Sequence, residues 1–213
     1  METTMTYQST KAIYDTLYAA FEHFNAELFD NRLPPVILVL HRKRNAHGYF
    51  WKGMWTRADD KDAEISEIAL NPESMGRDAK AVLSTLVHEM VHHEQYQFGK
   101  PSKSGHNKEW CEWMERIDLT PKGVGNCEGK RSGRNFTHEI VEGGKFDTAA
   151  TAFLAEQGVD MGLFSKRDTS ARKQDKSKIK HTCPSCGVNA WGKEGLHVRC
   201  GDCDQQLVPV NYL

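Results

Sequence analysis

The chain has 213 residues, 38% of them hydrophobic, a formal charge of −1 at neutral pH and a mean hydropathy of −0.64. That is room for one medium domain and a small module, with no global electrostatic pull towards nucleic acid. No segment approaches the roughly 18 uninterrupted apolar residues of a membrane span.

Met1-Glu2-Thr3-Thr4-Met5-Thr6-Tyr7 has neither the basic region nor the apolar run of a signal peptide, so cytosolic residence is expected. In that compartment paired Cys-x-x-Cys groups read as metal ligands rather than disulfides. Thr10 to Phe29 has helical periodicity, with Ile13, Leu17, Phe21, Phe24 and Leu28 on one face and Tyr14, Tyr18 and Ala20 widening it. Asp30-Asn31-Arg32 is a turn, and Leu33-Pro34-Pro35 forces an extended entry. Val36 to Leu40 is a β-branched apolar run that reads as a central strand. The basic patch His41-Arg42-Lys43-Arg44 reads as a solvated turn. Tyr49-Phe50-Trp51 with Met54-Trp55 reads as a second strand and bend, and Glu64 to Leu70 as a third, closed by Asn71-Pro72.

From Arg77 to about Gln97 the spacing predicts a helix that stops at Gly99-Lys100-Pro101. Leu83, Leu86, Val87 and Met90 form its apolar stripe, and the helix carries His88-Glu89-Met90-Val91-His92. His88 and His92 stand one turn apart on the same face, the spacing at which two imidazoles chelate one zinc ion. Glu89 beside them suits a general base, because a zinc site with an open position lowers the pKa of a bound water to about 7. A buried helix with polar residues at 88, 89 and 92 must turn them to a cleft or bear their desolvation.

A catalytic zinc commonly keeps three protein ligands. His106, fourteen residues after His92 and at the start of a second helix over Lys108 to Ile117, is the favoured third; Glu109, Glu112 and Glu115 are the rivals. Trp110, Trp113, Met114 and Ile117 give that second helix its buried stripe, and Leu119-Thr120-Pro121 ends it. His93 is turned roughly 100° from the ligand face. Tyr49, His93 and Tyr96 are candidates for stabilising an oxyanion.

Residues 122–180 read as a connector. Glycines mark loops, Asn135 to Val141 could form a short strand, and Phe146 to Gln157 an Ala-rich helix. His138 reads as structural, and Cys111 and Cys127 as ordinary thiols. The stretch 165–181 holds seven Lys and Arg against two Asp, net +5, which reads as a solvated tether able to contact phosphates. Cys183-x2-Cys186 and Cys200-x2-Cys203 are separated by thirteen residues. Four thiolates can close a tetrahedral metal site, so 181–213 reads as a zinc ribbon holding a structural Zn2+. A segment of that size needs the metal to fold. Trp191, Leu196, Val198 and Leu207 are its expected apolar patch, with Trp191 and His197 also able to stack on bases.

The order helix, strand, aromatic Gly-Tyr-Phe strand, Glu-Ile-containing strand ending in Leu-Asn, His-Glu-Met-Val-His and Gly-His-x-x-x-Trp resembles the SprT-like zinc metallopeptidase family, over about residues 8–120 and again at the C-terminus. The resemblance implies an α+β fold, a minimal zincin-like domain over 8–121 followed by a zinc ribbon. It implies His88, His92 and His106 as ligands of a catalytic Zn2+, with Glu89 as the catalytic carboxylate. It also implies peptide-bond hydrolysis in DNA-associated or DNA-crosslinked proteins, with DNA contact through the basic linker and ribbon at the nucleoid. The alternative is a nucleic-acid-associated regulatory protein with a structural zinc and no protease activity.

Overall fold

A computed structural model describes residues 10–103, 105–157, 178–193 and 195–210, in two compact units, Met1–Lys166 and Arg167–Leu213. In the first unit α1 spans Thr10–Phe29 and buries Leu17, Ala20, Phe21, Phe24 and Phe29. Asn25, also buried, holds the following turn, accepting from the Leu33 N–H at 3.0 Å and donating to its carbonyl at 3.1 Å. Asp30 and Asn31 take the left-handed backbone there, with φ of 52° and 54°.

Strands β1 (Ile37–Leu40), β2 (Gly48–Thr56) and β3 (Glu64–Leu70) form one sheet in the order β1-β3-β2. β1 runs parallel to β3 and β2 antiparallel to it. The apolar run at 36–40 therefore lies at a sheet edge, not at the centre; β3, buried from Ser66 to Leu70, is central. An apolar run does not reveal its pairing partners, and here a helix protects the edge. Tyr18 and Tyr14 of α1 accept from the N–H groups of Leu38 and Leu40, at 3.4 and 3.2 Å. β2 forms the opposite edge, and its register shifts between Trp51 and Trp55, around Gly53.

The helix α2 (Ala79–Phe98) starts where the Asp78 side chain accepts from the N–H groups of Lys80 and Ala81, and ends at Gly99. Val82, Leu83, Leu86, Val87, Met90 and Val91 place it in the core. α3 (Lys108–Arg116) adds Trp110, Cys111 and Met114. Next comes a two-stranded hairpin, β4 (Leu119–Gly123) with β5 (Phe136–Ile140). Leu119-Thr120-Pro121 reads as a helix stop; it is also strand, and a proline is tolerated at the edge of so small a sheet. α4 (Lys145–Gln157) packs Phe146 and Phe153 on Phe24, with ring centroids 5.6 and 6.1 Å apart. The hairpin and α4 thus share the core of the domain whose expected end is residue 121.

The second unit is a three-stranded sheet in the order β7-β6-β8, with β6 Ile179–Thr182, β7 Asn189–Gly192 and β8 Val208–Pro209. Its small core joins Cys183, Cys200 and Leu207. Trp191 lies outside that core, 60% exposed. Lys178, Lys180 and His181 are described, but residues 165–177 of the basic stretch lie outside the described residues.

One carboxylate ties the helices together. Glu94 of α2, fully buried, pairs with Arg32 after α1 and with Arg116 at the end of α3, the latter at 2.7 Å from both carboxylate oxygens. Removing one side of a buried pair costs about 3–5 kcal/mol. Both arginines are more than a third exposed, so they can recover solvent and the cost falls. Glu94→Ala should destabilise the domain by about 2 kcal/mol, read as a lowered urea midpoint at unchanged slope.

Candidate metal centre and catalytic cleft

His88, His92 and His106 meet at one point, each offering a ring nitrogen within 4.8 Å of the others. The first two arrive on successive turns of α2, and the third from the loop before α3. The Nε2 atoms of His88 and His106 are 3.3 Å apart. Two nitrogens bound tetrahedrally at about 2.0–2.1 Å would stand about 3.3–3.4 Å apart, so this pair has the spacing of zinc ligands. Trp110 walls the cluster, its ring 4.8, 5.1 and 4.4 Å from those of His88, His92 and His106.

His106 is delivered by backbone pairing. It exchanges both main-chain hydrogen bonds with Gly133, at 3.2 and 3.0 Å, and its Nδ1–H donates to the same Gly133 carbonyl at 3.1 Å. A carbonyl only accepts, so the ring proton sits on Nδ1 and the lone pair on Nε2 faces the other imidazoles. Gly133 has φ 149°, and a Cβ there would lie 2.3 Å from the Cys127 sulfur, so no other residue fits. The loop before His106 is clamped as well. Gln95 Nε2 donates to Asn107 and Glu109 at 2.8 and 2.7 Å, while Glu109 accepts from the Lys100 N–H and Asn107 donates to the Lys100 carbonyl.

These bonds place the rivals elsewhere. Glu109 holds the loop, Glu115 pairs with Arg131 at 2.7 Å, and Glu112 faces Lys108 across one helix turn. His93 also points away; it is buried, and its Nε2–H donates to the Pro34 carbonyl at 3.0 Å. The Tyr49 and Tyr96 rings line the cleft, but their hydroxyls donate to Glu67 and Glu64 at 3.2 and 2.8 Å. His138 stands 3.1 Å, Nδ1 to Nδ1, from His88. Strand alternation at 136–140 could tell which face His138 occupies, not that this face meets a ligand. Gly133 likewise reads in the sequence only as a loop glycine.

Glu89 is buried beside the histidines. Burial pushes its carboxyl up to about 8, against the pull of Lys43 and of the Phe50 backbone N–H. β2 crosses α2 closely here, since a Cβ on Gly48 would sit 2.9 Å from the Ala69 carbonyl and 3.2 Å from a Glu89 oxygen. Burial also drives His88 well below 6.5, and with His106 takes His92 down to about 3. These imidazoles are neutral at neutral pH, the form that binds metal. All of this opens into a cleft of about 1040 Å³, bounded by residues 48–52 of β2, residues 101–103 and residues 134–138.

In the second unit Cys183, Cys186, Cys200 and Cys203 bring their sulfurs within 4.8 Å of one another, with Cys186 and Cys200 3.6 Å apart. Sulfurs bound tetrahedrally at about 2.3 Å would be about 3.8 Å apart. The N–H groups of Cys186 and then Ser185 pull Cys183 down to about 7, towards the thiolate that binds metal. Both donor sets fit zinc, the first with three nitrogens and the second with four sulfurs.

The model of the SprT-like family matches residues 17–131, more than half of the chain. The chain belongs to the SprT-like family. It is a family of zinc metallopeptidases, and the match covers the stretch that holds His88, Glu89, His92 and His106. An uncharacterized protein in the mucB 3' region of Salmonella typhimurium is 42% identical over 40 residues, 19% of this chain and 54% of that protein. The chain thus spans about half the length of that curated relative. No solved structure matches it. The SprT-like match stops at residue 131, so Phe136 and His138, which touch two of the histidines, lie beyond it.

Two outcomes follow. Gly133→Ala should lower metal affinity at the histidines about 10–100-fold, as loss of a ligand's supporting bond does, while ribbon metal measured on the same sample stays constant. Glu89 favours its neutral form when folded. Its contribution to stability is therefore complete below about pH 4.5 and lost as pH rises through about 8. In metal-free protein Glu89→Gln should gain stability over wild type across that window, and a gap in urea midpoints that does not widen with pH would contradict this.

Proposed function

We propose that this SprT-like chain is a zinc-dependent endopeptidase that cleaves proteins held on or crosslinked to DNA. The observation that carries the reading is the buried Glu89 carboxylate beside three converging imidazoles at the floor of an open cleft. A site serving only structure has no use for a carboxylate that costs so much to bury. His88, His92 and His106 would hold one zinc, and the four cysteines a second, structural one. When bound at the histidines, zinc supplies Lewis acidity, polarising a carbonyl and acidifying water.

The remaining steps belong to the chain. Glu89 accepts the proton of the attacking water and returns it to the departing amine; a carboxyl raised towards neutrality suits both tasks. The cleft wall β2 is an edge strand of its sheet, alongside which an extended peptide can lie. Trp110 and Phe136 pack against the histidines and keep water from that side. Lys43, Lys52, Lys103 and Arg134 line the cleft, with Glu89 as its one carboxylate among the described residues. With the net +5 stretch at 165–181, that charge supports engagement next to a phosphate backbone.

The test compares wild type, Glu89→Gln and His106→Ala on a DNA-binding protein, with and without DNA. Glu89→Gln should keep its zinc and lose cleavage by at least about 100-fold. His106→Ala should lose the zinc of the histidine site and retain that of the ribbon. Cleavage by Glu89→Gln at the wild-type rate would overturn the mechanism, and equal cleavage without DNA would remove the DNA-linked part alone.

A further inference from the structure

The nitrogens that turn away from the metal cluster are held in different ways. His106 Nδ1 donates to a carbonyl, which fixes its proton without ambiguity. His88 Nδ1 instead faces another imidazole, His138 Nδ1, at 3.1 Å. Two such nitrogens share one proton, and either can carry it. Only one arrangement leaves His88 Nε2 with a free lone pair: the proton on His88 Nδ1, the lone pair of His138 Nδ1 accepting it, and the proton of His138 on its own Nε2. The reverse arrangement puts a proton on His88 Nε2. That N–H would then point at His106 Nε2, 3.3 Å away, and ligation would give way to a hydrogen bond between two histidines.

We propose that His138 is a positioning residue for the metal centre, accepting from His88 Nδ1–H and so fixing the tautomer and ring plane in which His88 presents Nε2. This rests on the metallopeptidase reading. His138 is not a fourth ligand, because it meets His88 at the nitrogen opposite the one that joins the cluster. The strand it stands on makes the role specific. Phe136 and His138 alternate onto one face of β5. The Phe136 ring lies on His106 with centroids 5.1 Å apart and an interplanar angle of 27°, while His138 takes the hydrogen bond of His88. One short strand thereby sets two of the three ligands, one by packing and one by proton acceptance. The β4–β5 hairpin, which follows α3 in the chain, is therefore part of the metal site.

The full chain loaded with cobalt(II) provides the test. The ligand-field bands of the histidine site and the thiolate charge-transfer bands of the ribbon are read in one spectrum, and affinity comes from competition with a chelator. His138→Phe keeps a ring but removes the acceptor. It should weaken metal binding at the histidines about 10–100-fold and shift their bands, while the ribbon bands stay unchanged as the internal reference and far-UV circular dichroism of the same sample reports the helices intact. His138→Gln, whose side-chain oxygen can accept from Nδ1–H, should restore most of the affinity and the wild-type bands. Wild-type affinity and spectrum in His138→Phe would overturn the proposal, and so would a His138→Gln as weak as His138→Phe. Absence of histidine-type bands from the wild type itself would remove the metallopeptidase reading along with this one. Bands present in wild type and unmoved in His138→Phe would remove this one alone.

Discussion

The structure depends on satisfying a polar stripe along a helix with no solvent to do it. Between Ser84 and Gln95, α2 buries Ser84, Thr85, His88, Glu89, His93, Glu94 and Gln95 among its apolar residues. Each would cost several kcal/mol without a partner, and the partners come from all around the first unit. Arg77 donates to Thr85, Phe50 of β2 to Glu89, His93 to the carbonyl of Pro34, Arg32 and Arg116 to Glu94, and Gln95 to Asn107 and Glu109. The sheet, the loop before it, α3 and the hairpin are in this sense docked on α2 by its polar groups as much as by Leu83, Leu86 and Met90.

Against that background the histidine cluster stands out. Most other buried polar side chains of α2 meet a donor or acceptor, with His93 Nδ1 and Gln95 Oε1 left without one among the described residues. His88 and His106 instead bring their Nε2 atoms to each other at 3.3 Å, and the bonds around them fix the opposite nitrogens. Gly133 holds His106, and His138 holds His88. Rings tied at the back and packed on Trp110 have few other orientations, so a metal would meet ligands already in place. That preorganisation requires the 119–140 hairpin, although the His-Glu-Met-Val-His motif itself ends at residue 92.

What was legible in the sequence follows the range of the forces involved. The bounds of α1 and β3, and α2 to within two residues, are readable because apolar periodicity and caps such as Asp78 and Gly99 are local. So is the candidacy of His88, Glu89 and His92, which needs only the pitch of a helix. His106 could be favoured but not separated from the glutamates of α3 by spacing, because its return depends on Gly133, twenty-seven residues later. β1 reads as central because its run is apolar, yet its neighbours are β3 and two tyrosine hydroxyls. Trp191 reads as ribbon core from hydrophobicity and is exposed. Nothing in a window around His138 announces a partner fifty residues earlier.

The two donor sets of the chain also explain why their proposed roles could not be exchanged. Four thiolates would carry four negative charges to a dication, leaving a site with net charge of about −2 and no open position. Such a centre neither attracts an electron pair nor acidifies water. Three neutral imidazoles leave the dication its full charge and a vacancy, and burial is what keeps them neutral: it takes His92 to about 3 and His88 well below 6.5. The same burial raises Glu89 to about 8. A single physical cause, exclusion of water from the α2 face, would therefore prepare the proposed ligands to bind and the carboxylate to exchange a proton. Sites built by one shared desolvation are also coupled. A change that opened the hairpin to solvent would weaken the ligands and return the carboxylate to an ordinary acid together.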